Sequence, residues 1–234
     1  MKKVLVLEDE ASIRGFIVIN LQRAGYTVVE AESGEEALEK LGEHEDIRVC
    51  LLDIMLPGMD GFEVCRRIRL SNPHIGIIML TAKTQEMDKI TGLMMGADDY
   101  VTKPFSPSEL MARVDAIYRR VSLNKTYAEK PQESSYILTS GSFSLNLRNR
   151  TLTKNGVPIE LTQVEFQIME YFLSNQGAAL DRNDILTRVW GENYFGEDKV
   201  VDVNIRRLRM KIEDIPSNPV HLTTVWGMGY KWVS

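Results

Sequence analysis

The sequence is poor in residue types that define whole protein classes. Its 234 residues include only two cysteines and three histidines. The histidines, His44, His74 and His221, are scattered and show no metal-ligand spacing. No apolar run approaches the ~18 residues that a membrane-spanning helix needs. These absences exclude a disulfide-rich scaffold, a zinc finger and an integral membrane protein.

The N-terminus also lacks the features of an export signal. Val4-Leu5-Val6-Leu7 is followed at once by Glu8-Asp9-Glu10, which leaves no apolar core of signal-peptide length. Two cysteines, Cys50 and Cys65, suit a reducing compartment. We therefore expect a cytoplasmic protein with no membrane partner.

Composition and length fit two ordinary globular domains. Apolar residues make up 44% of the chain and charged residues 26%. Residues 1–121 hold 15 lysines and arginines against 20 acidic residues, whereas the remainder holds 13 of each. The acidic excess therefore lies in the N-terminal half, and any nucleic-acid surface in the C-terminal half must be a local patch.

The N-terminal half alternates short β-like runs with helical patterns. Strands are predicted at Val4–Leu7, Tyr26–Glu30, Val49–Asp53, Ile75–Leu80 and Asp99–Thr102. Helices are predicted at Ala11–Ala24, after Ser33, at Gly61–Leu70, at Gln85–Met95 and after Ser106. This alternation predicts an α/β fold: a five-stranded parallel, doubly wound sheet with helices on both faces.

Chemically active side chains fall at the carboxyl ends of these strands, where open α/β sheets build their sites. Glu8-Asp9, Asp53, Thr81 and Lys103 follow the first, third, fourth and fifth strands. Converging carboxylates repel one another unless a cation joins them, and oxygen ligands suit Mg²⁺. Lys103 and Thr81 suit a phosphoryl group, with Asp53 as the nucleophile.

Each group alone also fits an ordinary structural role, as a helix cap, a turn cap or a solvated lysine. Two enzyme alternatives fit less well. A dinucleotide-binding domain needs glycines where Glu8-Asp9-Glu10 stands. Phosphatases of the haloacid dehalogenase type carry a second aspartate two residues after the nucleophile, where this chain has Met55.

The motifs Glu8-Asp9, Asp53, Thr81, Tyr100 and Lys103-Pro104-Phe105 resemble the receiver domain of two-component response regulators. The resemblance implies that a sensor histidine kinase phosphorylates Asp53. It also implies that Asp9, Asp53 and the backbone carbonyl of Met55 hold Mg²⁺, with Glu8 acting mostly through water. Thr81 and Tyr100 would switch on phosphorylation, and the Lys103-Pro104 bond would be cis.

The resemblance further implies a homodimer formed through the receiver domain. An apolar centre would be ringed by opposite charges, as an isologous interface needs, although a solvated charged face is the ordinary alternative. The family pairs Lys89 with Glu109, Asp98 with Arg120 and Asp99 with Arg113. The apolar positions are Ile90, Leu93 and Ala112.

Residues 122–135 are polar and aperiodic, which predicts a flexible linker between a receiver domain at 1–121 and a second domain at 136–234. Four short strands are predicted from Tyr136 to Glu160, followed by helices opened by Thr162 and by Asp181 or Asn183. A third helix, Asp198–Glu213, precedes a hairpin around Gly227-Met228-Gly229.

The third helix carries a predicted buried face and a basic face. Val201, Ile205, Leu208 and Ile212 follow helical spacing and should be buried. Lys199, Val203, Arg206, Arg207 and Met210 should then point outward. A solvated helix face is the ordinary alternative, but a helix-turn-helix followed by a hairpin is the layout of a DNA reader.

Three motifs, Thr162–Phe166, Val201–Arg209 and Thr224–Tyr230, resemble the winged-helix domain of OmpR/PhoB-type regulators. The resemblance implies that Asn204 and Arg207 face DNA bases. Lys199, Arg206, Arg209 and Thr224 would hold phosphates. Trp226 departs from the pattern, because the family usually has an arginine there that enters the minor groove. We therefore expect weaker minor-groove readout. A complex with a cation of the hairpin, such as Lys231, in that groove would contradict this expectation.

These observations together predict a phosphorylation-controlled transcription factor that binds double-stranded DNA at tandem half-sites. The loop from Glu192 to Asp198 is where the family meets RNA polymerase. The expected catalysis is confined to uptake and slow hydrolysis of its own phosphoryl group, so the chain is not otherwise an enzyme. Two alternatives remain: a constitutive dimer that is not phosphorylated, and a stand-alone phosphatase.

Overall fold

The computed structural model describes residues 2–82, 94–122, 136–192, 194 and 196–234. The chain divides into two compact units, Met1–Ser122 and Leu123–Ser234. The predicted linker lies outside the described residues except for Ser122, which ends a helix. No helix among the described residues is both long enough and apolar enough to cross a membrane.

The N-terminal unit is built on a parallel sheet with the strand order β2-β1-β3-β4-β5. Its strands are β1 Lys2–Leu7, β2 Tyr26–Ala31, β3 Ile47–Asp53, β4 Gly76–Thr81 and β5 Asp99–Thr102. Its helices are α1 Ala11–Arg23, α2 Gly34–Glu43, α3 Gly61–Ser71 and α4 Pro107–Ser122. The predicted helix Gln85–Met95 falls almost wholly outside the described residues. The doubly wound fold is confirmed.

The sheet is buried on both faces, which explains its continuous apolar strands. On one face, α1 and α4 pack their apolar side chains, including Ile17, Leu21 and Val114, against alternate residues of β1, β3 and β4. Helices α2 and α3 pack together over the other face. Side-chain caps start both of these helices: Ser33 Oγ accepts from Glu36 N and Asp60 Oδ1 from Glu63 N.

Within its described residues, the C-terminal unit contains two antiparallel sheets and three helices. The first sheet is β6 Ile137–Ser140, β7 Phe143–Asn146, β8 Thr151–Lys154 and β9 Val157–Ile159, in that order. The helices are α5 Gln163–Ser174, α6 Arg182–Trp190 and α7 Lys199–Ile212. The second sheet has the order β10-β12-β11, formed by β10 Ala179–Asp181, β11 Leu222–Val225 and β12 Gly229–Trp232.

Strand β10 has no counterpart in the sequence prediction, because three residues are too few to show periodicity. It pairs with β12 from Ala179↔Lys231 to Asp181↔Gly229. The predicted capping box of α5 is present, with Thr162 and Glu165 exchanging side-chain and backbone hydrogen bonds. The apolar core of this unit includes the buried rings of Phe143 and Trp232, whose centroids lie 5.2 Å apart.

Candidate functional site

The predicted acidic and basic side chains meet at the carboxyl edge of the parallel sheet. Glu8 and Asp9 follow β1, Asp53 ends β3, and Lys103 follows β5. Glu8 and Asp53 are buried, whereas Asp9 is exposed. Because parallel strands all end at one edge, three separate stretches of sequence converge on one point.

Lys103 is the bridge between two of the carboxylates. Its Nζ donates to Glu8 Oε2 at 2.6 Å and to Asp53 Oδ2 at 2.9 Å. The lysine side chain is only 14% exposed, and the two carboxylates are 1% and 5% exposed. Burial lowers the pKa of Lys103, but the two acidic partners more than offset this, so the pKa lies above its ordinary value.

The pKa of the Glu8 carboxyl lies above its ordinary value, mainly because the group is buried. Burial raises the pKa of the Glu8 carboxyl, and the charges of Asp53 and Asp9 add to the increase. The hydrogen bond and charge of Lys103 act in the opposite direction without cancelling it. Counted by formal charge, three carboxylates against one lysine leave the cluster short of positive charge.

The three carboxylates have the geometry of a cation site. Glu8, Asp9 and Asp53 each offer an oxygen, and the three oxygens lie within 4.8 Å of one another. Such oxygen donors suit a hard divalent cation rather than a soft one. The donor set thus fits Mg²⁺, and the net negative charge of the cluster would favour binding of a cation.

A close backbone approach positions Asp53. The end of β3 lies so near the start of α3 that a Cβ atom on Gly61 would sit 2.0 Å from the Asp53 carbonyl oxygen. Only glycine fits here without a shift of the backbone. Asp53 Oδ1 also accepts from the backbone N–H of Met55 at 3.3 Å. The Met55 side chain is 54% exposed beside the site.

Arg14 is a positioning residue that the sequence analysis missed. It lies in α1 and is 9% exposed. Its Nη1 donates to the backbone carbonyls of Glu8 at 2.8 Å and Asp9 at 3.3 Å. The guanidinium therefore holds the backbone that presents both acids. An arginine at a helical position usually faces solvent, so the sequence offered no signal for this role.

The two predicted switch residues are both buried. Thr81 ends β4 with no exposed surface, and its carbonyl accepts from Lys103 N at 2.6 Å. Tyr100 is 5% exposed, so its ring already lies inward in this structure. The Lys103-Pro104 bond is cis, as the resemblance implied. Movement of Thr81 and Tyr100 stays a prediction.

Most charges of the predicted dimer interface, namely Asp98, Asp99, Glu109 and Arg113, pair within one chain. Arg113 Nη1 contacts both carboxylate oxygens of Asp99 at 3.0 Å, and its Nη2 contacts Glu109 Oε1 at 2.8 Å. Asp98 pairs with Arg69 at 2.7 Å rather than with Arg120. These four charged residues of the predicted ring are 5% exposed or less: Asp98, Asp99, Arg113 and Arg120. Ala112 is half-buried in α4, while Lys89, Ile90 and Leu93 lie outside the described residues.

In the C-terminal unit, α7 buries more of its surface than expected. Val201, Ile205, Leu208 and Ile212 are buried as predicted. Val203, expected to point outward, is only 7% exposed. Lys199, Arg206 and Met210 are exposed, with Asp202 and Arg209 half-buried along the same face. The outward stripe is therefore narrower than the sequence suggested.

Asn204 and Arg207 are buried in this structure rather than on the outward face of α7, and their contact with DNA bases stays a prediction. Asn204 is fully buried and donates to the Val200 carbonyl at 2.8 Å. Arg207 Nη2 lies 2.9 Å from Glu165 Oε1, and its Nη1 donates to Asn204 Oδ1 at 3.2 Å. The capping-box glutamate of α5 thus draws Arg207 into the domain.

Glu165 is the centre of this buried ion cluster. Its Oε2 contacts Lys211 Nζ at 2.6 Å and accepts from Thr162 N at 2.8 Å. Burial raises the pKa of the Glu165 carboxyl, but Arg207 and Lys211 more than offset this, so the pKa lies below its ordinary value. The glutamate is therefore held ionised inside the domain.

Arg209 and Thr224 join α7 to the hairpin. Arg209 donates to the Leu222 carbonyl at 2.8 Å and to Thr224 Oγ1 at 2.9 Å. A second connection, not predicted from the sequence, runs through Asp202 of α7. Its Oδ1 accepts hydrogen bonds from Tyr230 OH at 2.6 Å and from Arg182 Nε at 2.8 Å. Burial and this hydrogen bond raise the pKa of Tyr230 to about 12. The hairpin therefore lies in a fixed position beside the outward face of α7.

Comparison with known proteins matches both units. Residues 4–115 match the response regulator receiver domain, and residues 156–232 match the C-terminal domain of transcriptional regulatory proteins. The chain is 41% identical over 231 residues to the sensory transduction protein RegX3 of Mycolicibacterium smegmatis, and 40% identical to RegX3 of Mycobacterium tuberculosis, with 99% of each chain covered in both cases.

Solved structures of the whole chain length agree. DrrB, an OmpR/PhoB homologue from Thermotoga maritima, is 32% identical with a TM-score of 0.51, and both chains are covered in full. A RitR mutant is 25% identical with a TM-score of 0.76, covering 100% of this chain and 99% of that one. This chain therefore belongs to the two-component response regulators of the OmpR/PhoB type, with an N-terminal receiver domain and a C-terminal DNA-binding domain.

Proposed function

We propose that Asp53 accepts a phosphoryl group from the phosphohistidine of a sensor histidine kinase. In this step the P–N bond of the donor breaks and a P–O bond to an Asp53 carboxylate oxygen forms. The observation that carries the proposal is the contact of Asp53 Oδ2 with Lys103 Nζ at 2.9 Å, in a cluster with Glu8 and Asp9. A buried aspartate with an adjacent cation and two further acids is a costly arrangement that a phosphoryl site explains.

Mg²⁺ is the proposed cofactor. Asp9, Asp53 and the Met55 backbone carbonyl would hold it, with Glu8 contributing through water. When bound, it would neutralise the phosphoryl and carboxylate oxygens during transfer. The Lys103 ammonium, which now donates hydrogen bonds to Glu8 and Asp53, would donate to a phosphoryl oxygen in place of the Asp53 carboxylate.

Thr81 and Tyr100 are the proposed conformational relay. Thr81 would donate its hydroxyl proton in a hydrogen bond to a phosphoryl oxygen, since it ends the strand next to Asp53 in the sheet. Tyr100 would occupy the space that Thr81 leaves. The inward ring of Tyr100 is compatible with this endpoint, and the starting position stays a prediction.

Phosphorylation can be tested by incubating the full chain with acetyl phosphate and Mg²⁺ and measuring intact mass. We expect an adduct of about 80 Da, the mass of one phosphoryl group, which disappears with Asp53→Asn. The matched control is Asp60→Asn. Asp60 caps the start of α3, and asparagine at position 60 can cap the helix as well as aspartate does. If wild-type protein gains no adduct at saturating donor and Mg²⁺, the proposed chemistry is wrong. Slow loss of the adduct with time would be its autodephosphorylation.

The proposed output is binding to double-stranded DNA. The outward face of α7 would enter the major groove, with Lys199, Arg206, Arg209 and Thr224 holding phosphates. The exposed Arg206 is the sharpest test. Arg206→Ala should weaken binding to all duplexes about equally and reduce the salt slope by about 1. The probe is a duplex recovered by selecting genomic fragments on the phosphorylated protein, and failure to enrich any fragment would refute DNA binding.

A receiver homodimer would place two winged helices on tandem half-sites. The internal pairs of Asp99 with Arg113 and of Asp98 with Arg69 would then have to exchange partners. Sedimentation velocity of the acetyl-phosphate-treated protein should show a dimer that Asp53→Asn does not form. An identical monomer before and after phosphorylation would contradict this step.

RNA polymerase is the proposed downstream partner, with the loop from Glu192 to Asp198 as its contact. Of these residues, 193 and 195 lie outside the described part of the chain. The cytoplasm is the proposed location, since DNA, polymerase and kinase phosphodonor meet there. In a reconstituted transcription assay, loop substitutions should abolish activation while DNA binding persists. Loss of both activities together would instead indicate a damaged domain.

A further inference from the structure

The β11–β12 hairpin exposes a large aromatic ring at its tip. The chain has three tryptophans, all among the described residues. Trp190 and Trp232 are buried at 1% and 0% exposure, whereas Trp226 is 92% exposed. Met228, two residues on, is 47% exposed. Trp226 and Met228 together leave an apolar tip exposed on a formed hairpin, and adjoining exposed apolar side chains mark contact sites for other molecules.

The turn geometry directs Trp226 outward. Val225 and Gly229 pair across the hairpin, and Met228 N donates to the Val225 carbonyl at 3.1 Å. Gly227, the third residue of the four-residue turn Val225–Met228, has a φ of +74°, and a type II turn needs a positive φ at this position. Trp226 is therefore the second residue of a tight turn, projecting from the end of the hairpin.

The tip has a fixed position relative to the outward face of α7. Arg209 of α7 holds β11 through the Leu222 carbonyl and Thr224 Oγ1. Trp226 lies two residues beyond Thr224, a reach of at most about 7 Å in extended chain. In the proposed complex, α7 enters the major groove and Thr224 contacts the DNA backbone at its edge. A reach of this length carries the indole across that backbone into the neighbouring minor groove.

We propose that Trp226 packs its indole into the minor groove beside the α7 contact, as an apolar anchor in place of a charged one. The inference rests on the proposed binding of α7 to duplex DNA. The segment from Val225 to Gly229 carries no charged residue, and apolar side chains are used against the minor groove by many DNA-binding proteins.

The surroundings of the tip favour DNA over a protein partner. The side chains behind it are polar or charged: Thr224, the hydroxyl-bearing Tyr230 with Arg209 5.5 Å from its ring centroid, and Asp202, whose charge is paired with Arg182. An apolar tip backed by hydroxyl groups and the cation Arg209 matches the phosphate–sugar border of a groove. Lys231 lies back in the central strand of the sheet, paired with both Thr223 and Ala179, so Trp226 reaches further than this cation.

The intrinsic fluorescence of the protein gives a direct test, because the other two tryptophans are buried. The probe is the duplex enriched by the genomic selection described above, titrated into the full phosphorylated chain. Binding should quench the exposed component and protect it from acrylamide, and Trp226→Phe should remove this signal. Replacing guanine by inosine beneath the hairpin changes the minor-groove donor pattern alone, and should alter affinity in wild type but not in Trp226→Ala.

Affinity measurements separate this role from the charged contacts. Trp226→Ala should weaken binding roughly 5- to 150-fold, the range of aromatic contacts to nucleic acid, and leave the salt slope unchanged. Trp226→Phe should lose less, and an unaltered melting temperature would show intact folding. Equal affinities for wild type and Trp226→Ala, with the indole still open to acrylamide in the complex, would overturn the inference. If wild-type protein enriches no duplex, the proposed DNA-binding function fails instead.

Discussion

Replacing Arg207 tests whether this arginine stabilises the domain or reads DNA. The structure places its guanidinium 2.9 Å from Glu165 Oε1, with side-chain exposures of 7% and 0%. Arg207→Met keeps much of the side-chain volume and removes the charge. The matched control is the neighbouring Arg206→Ala, since Arg206 is exposed.

The expected cost follows from the buried partner. Removing one member of a buried ion pair costs about 3–5 kcal/mol, because the other charge is left without compensation. Lys211, which lies 2.6 Å from Glu165, is retained in the variant, so we expect the lower end of this range, about 3 kcal/mol of unfolding free energy. Arg206→Ala should change stability by less than about 0.5 kcal/mol.

Urea unfolding followed by tryptophan fluorescence measures this difference. All three tryptophans lie in the C-terminal unit, so the signal reports that unit alone. At a slope of about 1.5 kcal/mol/M, a loss of about 3 kcal/mol lowers the midpoint by about 2 M. A double variant with Glu165→Gln should lose less than the sum of the single losses. An Arg207→Met midpoint equal to that of wild type would refute the structural role and return Arg207 to DNA readout.

Three further results are expected. The pKa of Glu165 lies below its ordinary value of 4.5. Its ion cluster therefore stabilises the C-terminal unit above pH 4.5, and this stabilisation is lost as the pH falls below that value. In Glu165→Gln, the free energy of unfolding should depend less on pH in this acidic range. Gly61→Ala puts a methyl group 2.0 Å from the Asp53 carbonyl oxygen and should cost several kcal/mol and slow phosphorylation, whereas Gly42→Ala, with nothing within 4 Å, should be neutral or stabilising by up to about 1 kcal/mol. The half-exposed Met55 should shield the acyl phosphate from water, so Met55→Asn should hasten adduct loss by mass spectrometry; an unchanged rate would end that idea.

The sequence predicted the sheet and its active edge well because both follow from local patterns. Short apolar runs between turns mark buried strands, and parallel connectivity forces their ends to one edge. The meeting of Glu8, Asp53 and Lys103 needed no tertiary information beyond this rule. Arg14 could not be found in the same way, since its contacts to backbone carbonyls leave no pattern in the chain.

The basic helix was harder to predict because helical spacing identifies only the most buried stripe. Val201, Ile205, Leu208 and Ile212 define that stripe, but neighbouring elements cover a wider arc. Arg207 reads as outward by spacing and is instead drawn inward by Glu165, an interaction between two helices 42 positions apart in the chain. A long-range partner of this kind has no signature in one sequence.

The two units use buried charge in opposite ways, and the difference matches their proposed tasks. In the C-terminal unit, Glu165 meets two cations, Arg207 and Lys211, so the cluster is fully compensated by the protein itself. At the sheet edge, three carboxylates meet one lysine, which leaves a formal charge of about −2. A phosphoryl group would add further negative charge, so we expect the proposed phosphorylation to need a divalent cation from solution. Because that compensation would be exchangeable rather than built in, the proposed phosphorylation would be reversible, whereas the charges around Glu165 need no partner from solution.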